Sequence, residues 1–144
     1  ERMKVSLEAN SPEDEHDCFS DNTHNSQFYD AKGVRNVYLG EYTRVDGTKM
    51  TGASLSSLVA KADPAADTAL KADLAATEAK IQVMVDHANK GEHYDQLIAA
   101  GNTAGNQIVR DAIAALVKQT GSIEAAAGKL GISDLNPDNA DHEF

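Results

Sequence analysis

Tryptophan is missing from this chain, aromatic residues make up only 5% of it, and proline occurs three times. With so few rings, a core must be drawn from the Ala, Leu, Ile and Val that dominate its 41% apolar content. That composition favours closely packed helices over a β-sandwich, whose strands lean on aromatic and β-branched residues. Cysteine is nearly absent too. Cys18 stands alone and cannot form an intrachain disulfide, which fits a reducing compartment or an exported protein with one buried thiol. No apolar run nears the roughly 18 residues of a membrane span, and no basic-then-apolar leader opens the chain. The first residue is Glu1 rather than Met, as expected of a processed form or fragment, so the lack of a leader says little about export. Basic residues are scarce: 13 Lys and Arg face 23 Asp and Glu, giving a net charge of −10 and a pI near 4.8. Phosphate backbones and anionic lipid surfaces are repelled by such a chain, which excludes nucleic acid as a natural partner, while cations are attracted. At 144 residues the length suits one domain with a real core, and residues 1–144 are read as a single helical domain.

The second half carries the helical signals. Asp63-Pro64 is a cap followed by a first-turn proline, and Leu70, Leu74, Ile81, Val85 and Ala88 follow at helical spacing to about Asn89. Such a helix is a rod of roughly 40 Å. Asn89-Lys90-Gly91 ends it, and a shorter helix from about Glu92 to Ala100 stops at Gly101-Asn102. Thr103 then offers a cap for a long helix whose face runs through Val109, Ile113, Leu116, Ile123, Ala127 and Leu130. Gly121-Ser122 is a point where that helix is expected to break in two, and Gly131 and Pro137 close the pattern ahead of a polar tail. In the first half, a helix is expected from Ser26 to about Tyr42 and a short one from Ser54 or Ser56 to Pro64. Between them residues 43–52 are irregular, with Asp46-Gly47 as a turn that also suits a short hairpin. No internal repeat appears. The fold class is therefore all-α, a helical bundle with an irregular segment near 43–52.

The chemistry concentrates in the twelve residues from Glu13 to His24, which hold five carboxylates, two histidines and Cys18. Were this stretch helical as far as Phe19 and beyond, Asp14, Asp17, Asp21 and His24 would share a face, and carboxylate with imidazole suits iron, manganese or zinc. Ser20-Asp21-Asn22-Thr23 is a cap-and-turn sequence, however, and a solvated acidic loop binding its own backbone is the plainer reading. Cys18 is either a nucleophile activated by His16 or His24, or a small buried hydrophobe beside Phe19. His87, late in the long helix, suits a capping role at the helix C-terminus. His93 lies in "GEHYDQL", with Gln96 where a G-x-H-x-x-E motif needs Glu. No H-E-x-x-H, C-x-x-C, G-x-S-x-G or phosphate-binding glycine loop occurs.

Several stretches together are more specific. "ERM" at the start, then "EDEHDCFSDNTHNS", "GVRNVYLGEY", "HYDQLIAAGN" and "IEAAAGKLGI" resemble the imelysin-like family, also known as iron-regulated protein A or insulin-cleaving membrane protease. The resemblance covers almost the whole chain and corresponds to the C-terminal portion of such proteins. It implies an all-helical fold, one half of a two-bundle architecture, with an apolar surface where the N-terminal half of the same protein packs. It further implies export to the periplasm or outer membrane of a bacterium, expression tied to iron, and a role in binding or handling iron or another divalent metal during iron acquisition. The alternative activity is a metallopeptidase of the insulin-cleaving type, although the family's G-x-H-x-x-E motif belongs to the preceding half and is absent here. A third possibility is a binding module docking a cationic partner or an iron- or haem-uptake component. Candidate metal ligands are His16, Asp21 and His24, with Glu13 and Glu15 behind them; Asp21 has an alternative role as the cap of the helix that follows.

Overall fold

The structure, a computed structural model, describes residues 2–135, so Pro137, His142 and the rest of the expected polar tail lie outside the described residues. Among the described residues there are α-helices α1 (Arg2–Ala9), α2 (Thr23–Leu39), α3 (Leu55–Ala62), α4 (Pro64–Ala88), α5 (Tyr94–Ile98) and α6 (Thr103–Lys129). A hairpin of β1 (Glu41–Thr43) and β2 (Lys49–Thr51) separates α2 from α3. The chain is thus an all-α bundle. No helix among the described residues is long and apolar enough to cross a membrane.

Local chemistry sets most boundaries. Asp63 caps α4 by accepting hydrogen bonds from the Ala65 and Ala66 amides at 3.0 and 3.1 Å, and Pro64 takes a first-turn position where its missing N–H costs nothing. Ser54 caps α3 through the Ser57 amide. Asn102, one residue before the expected Thr103, caps α6 through the Gly105 amide. Gly40 ends α2 in the left-handed region at φ +65, where an added Cβ would meet the Ala53 carbonyl oxygen at 2.6 Å. The irregular segment is the antiparallel hairpin, with Tyr42 opposite Met50 and Asp46-Gly47 in its turn.

The expected break at Gly121-Ser122 does not occur: α6 runs through both residues. Ser122 points its hydroxyl to Asp73 on α4 at 2.6 Å instead of capping, and Lys118 one turn earlier donates to the same carboxylate at 2.7 Å. These tethers outweigh the roughly 1 kcal/mol propensity cost of Gly121.

Three long helices form the frame. Lys80 reaches Asp111 while Lys118 reaches Asp73, so α4 and α6 are antiparallel, and Arg35 on Glu78 together with Tyr38 on Asp67 sets α2 antiparallel to α4. The core lies along these helices in two parts. One holds Met3, Leu7, Ile81, Met84, Tyr94, Leu97 and Val109 among others, at the end where α2 and α6 begin. The other holds Tyr38, Val59, Leu70, Leu74 and Ala126, at the end where α3 crosses from α2 to α4. Between them sits Thr77, fully buried, whose hydroxyl has no hydrogen-bond partner.

Candidate acid and imidazole site

The stretch from Glu13 to Asn22 forms no α-helix. Asn10 closes α1 in the left-handed region at φ +49, donating to the Leu7 and Ile98 carbonyls. A 3-10 turn at Pro12–Asp14 follows, Glu15 is extended, and tight turns bring the chain to Thr23. Tertiary hydrogen bonds hold this path: the Thr23 hydroxyl accepts from the Asp17 amide at 3.0 Å, and the Ser26 hydroxyl donates to the Asp17 carboxylate. The shared face expected for Asp14, Asp17, Asp21 and His24 is therefore not formed. Asp21 adopts φ +51, and the residue at the cap of α2 is Asn22, with no side-chain cap bond. A left-handed Asp is uncommon and costs energy that the surrounding structure must offset.

Those turns bury Glu15 and His24 at the start of α2, facing the start of α5. Glu15 is 8% exposed and its Oε2 has no hydrogen-bond partner. Burial pushes its pKa above the ordinary carboxyl value; Asp95, Asp21 and Asp17 push the same way, and a hydrogen bond with the Thr23 hydroxyl opposes them. Asp95, on α5, also has a buried carboxylate oxygen without a partner.

His24 is 6% exposed, and the His93 ring meets it edge to face at 5.5 Å. Burial lowers its pKa, the neighbouring His93 lowers it further, and Asp21 opposes both. The ring is thus held neutral near pH 7. The Asn25 amide nitrogen lies 3.2 Å from His24 Nε2, which makes Nε2 the acceptor and leaves the ring proton on Nδ1, the atom with no partner. Opposite it, His93 Nδ1 is 2.8 Å from the Asp21 carboxylate and 3.3 Å from the Asp21 carbonyl oxygen. His93 precedes α5 directly, and its backbone N–H donates to Gln96 Oε1 at 3.0 Å. Gln96 therefore serves the helix start, where the motif's Glu would carry a charge.

Of the five candidate ligands, Glu15, Asp21 and His24 are brought together, joined by His93 and Asp95. His16 turns away to the surface, where the Arg2 guanidinium lies 2.7 Å from its Nδ1 and also approaches Asp30 at 3.5 Å. Glu13 is exposed on the 3-10 turn. Cys18 is half-buried with no hydrogen bond to either imidazole, and Phe19 beside it is fully exposed. His87 pairs with Glu92 at 2.6 Å across the turn after α4. His93 and Asp95 were invisible as site members in the linear pattern; the only local signal is the cap-like "GEHYDQ" after the long helix.

The model of the Imelysin family, a peptidase M75 family, matches residues 1–123. The chain belongs to the imelysin family. No curated protein matches it. Every residue of the acid and imidazole cluster falls inside the matched span, while the last turn and a half of α6 lies beyond it.

An imelysin's peptidase label implies a metal, and the cluster can be tested against one. The donor types suit a divalent ion, since one carboxylate oxygen and one imidazole nitrogen are buried without partners. Their number does not: among the described residues no three His, Cys, Asp or Glu side chains are grouped to hold a metal. Ligation through His24 Nδ1 also requires the proton to move to Nε2 and the Asn25 amide to present its oxygen there. These residues by themselves do not complete a first coordination shell.

Proposed function

We propose that this chain is the C-terminal part of an exported imelysin-type protein that binds a divalent metal, iron foremost, in bacterial iron acquisition. Glu15, His24, Asp21 and His93 contribute from this side, and polypeptide outside residues 1–144 completes the ligand set. The observation that carries the reading is the pair of orphaned buried atoms, Glu15 Oε2 and His24 Nδ1. A buried polar atom left without a partner costs about 1–3 kcal/mol, a cost that a bound cation would offset once the His24 proton has moved to Nε2. In this reading His93, anchored on Asp21, sets the His24 ring by edge-to-face contact, and the acidic surface draws cations in. The metallopeptidase reading rests on the family's label. In it Glu15, whose proton is held more tightly than an ordinary carboxyl's, is the candidate base.

Calorimetric titration of ferrous iron and of zinc into the full-length protein tests the proposal. Glu15→Ala and His24→Ala should each weaken binding about 10- to 100-fold. Because His24 stays neutral to lower pH than a free histidine, wild-type binding should persist somewhat below pH 6.5 before it falls. Equal affinity in wild type and the double variant leaves the cluster a structural role only. Insulin cleavage that a chelator stops and His24→Ala abolishes would instead establish the peptidase.

A further inference from the structure

At the α3 end, α2, α4 and α6 leave an open groove lined almost wholly by apolar side chains. A smaller hollow of about 250 Å³ lies between α1, α2 and α6, and its lining is of another kind. Met3 and, on α6, Ile113, Leu116 and Val117 form an apolar wall. Arg2 and Lys4 of α1 border it with Gln27 of α2, and no carboxylate among the described residues lines it. In a chain where 23 Asp and Glu outnumber 13 Lys and Arg, this local balance is the reverse of the molecule's. Gln27 is 7% exposed, and its Nε2 is shut off from water with no hydrogen-bond partner. A buried donor in that state is destabilising, and Leu or Met would fill the same space without it. A half-turn of the amide exchanges its donor and acceptor ends, so an acceptor arriving in the hollow takes the N–H that the protein leaves unused.

We infer that this hollow binds a small aliphatic carboxylic acid. Its carboxylate accepts from the Gln27 amide and the Arg2 guanidinium, Lys4 adds positive charge at the rim, and its hydrocarbon rests on Met3, Ile113, Leu116 and Val117. Arg2 is available for this. It meets His16 and Asp30 through Nη1 alone, the Asp30 contact is 3.5 Å long, and both partners of that pair are more than half exposed, so an incoming carboxylate displaces little. Other ligand classes fit less well. A neutral hydrocarbon leaves Gln27 unanswered, a metal ion or amine is repelled by Arg2 and Lys4, and a phosphate sets a strongly hydrated dianion against Ile113 and Leu116. The hollow is also smaller than the roughly 300–1,000 Å³ of sites for drug-sized molecules, which limits the acid to a few carbons. The site is separate from the proposed metal cluster, since Glu15, Asp21, His24 and His93 do not line it.

Titration of isovalerate into the metal-free full-length protein tests it, with isovaleramide, the same carbon skeleton without the charge, as the matched probe. The side-chain amide resonance that Gln27→Leu removes from the nitrogen–proton NMR spectrum identifies Gln27. That resonance should shift saturably with isovalerate in the millimolar range, as suits a ligand of so few atoms. Isovaleramide should bind about 10-fold more weakly or worse, and Gln27→Leu should weaken isovalerate by about 10-fold. Because leucine fills the position without an orphaned donor, Gln27→Leu should melt no lower than wild type when no acid is present, which separates lost binding from lost fold. Arg2→Gln, at an exposed position, is the second variant and should weaken the acid while leaving the amide unchanged. No saturable shift at tens of millimolar, equal affinity for acid and amide, or unchanged affinity in both variants would each overturn the inference. So would shifts confined to the His24 and His93 ring signals, which would place the acid at the imidazole cluster instead.

Discussion

Asp67 is buried in the first turn of α4, where three groups converge on its carboxylate. The Tyr38 and Ser56 hydroxyls donate to Oδ1 at 2.8 and 2.7 Å, and Lys71 donates to Oδ2 at 2.8 Å. Burial alone would raise its pKa, but the Lys71 ammonium and the two hydroxyls outweigh burial and hold it below the ordinary carboxylate value. Because the folded value is depressed, the stabilisation is fully present above the unfolded value near 4 and is lost as pH falls through the folded one. Asp67→Asn keeps the shape but loses the charge. It should therefore cost about 2 kcal/mol at pH 7, with the gap to wild type closing below about pH 4 in denaturant melts. A gap independent of pH would mean that the charge contributes nothing. None of this network shows in the sequence, where Tyr38, Ser56 and Asp67 sit on three separate elements. It arises only once α3 folds across the end of α2 and α4.

Elements were legible to different degrees, for physical reasons that can be named. α4 announced itself because Asp63-Pro64 and Asn89-Lys90-Gly91 bracket a periodic run, and cap chemistry is local. Asp46-Gly47 likewise marked the hairpin turn. α5 is shorter than expected, Tyr94–Ile98 instead of Glu92 to Ala100, because His93 and Gln96 define its start and the Asn102 amide, bonded to the Gln96 carbonyl and the Glu92 carboxylate, closes its end. This elbow is tight. At Gly105, on the first turns of α6, an added Cβ would come within 2.6 Å of the Leu97 carbonyl oxygen and 2.8 Å of its Cα. Gly105→Ala gains about 1 kcal/mol of helix propensity but forces α5 outward, an overpacking that costs roughly 1–3 kcal/mol. Net destabilisation in a thermal melt is expected; under the proposed metal-binding reading affinity would fall as well, since α5 carries Asp95 and follows His93. A variant as stable as wild type would show that the elbow yields freely.

Across the whole molecule, the class of fold was legible in composition: few rings, much Ala and Leu, and helical spacing leave little else to build. The site was legible only in part. His16, Asp21 and His24, with Glu13 and Glu15 behind them, stood out as a local cluster, of which the fold turns His16 and Glu13 outward; Asp21 and His93 are 72 residues apart, and only the return of α4 from the far end brings them together. No local pattern encodes that encounter. The division of the core into two parts has its own result for how the protein breathes. The far part is the smaller, five buried residues against ten, and Thr77 with its unanswered hydroxyl marks a weak seam between them. Native-state amide hydrogen exchange should show α4 amides near Leu70 and Leu74 opening at lower free energy than those near Ile81 and Met84, whereas one uniform value would mean a single cooperative unit. On this division the grooved end can loosen and reclose while the spacing of the imidazoles at the opposite end stays fixed.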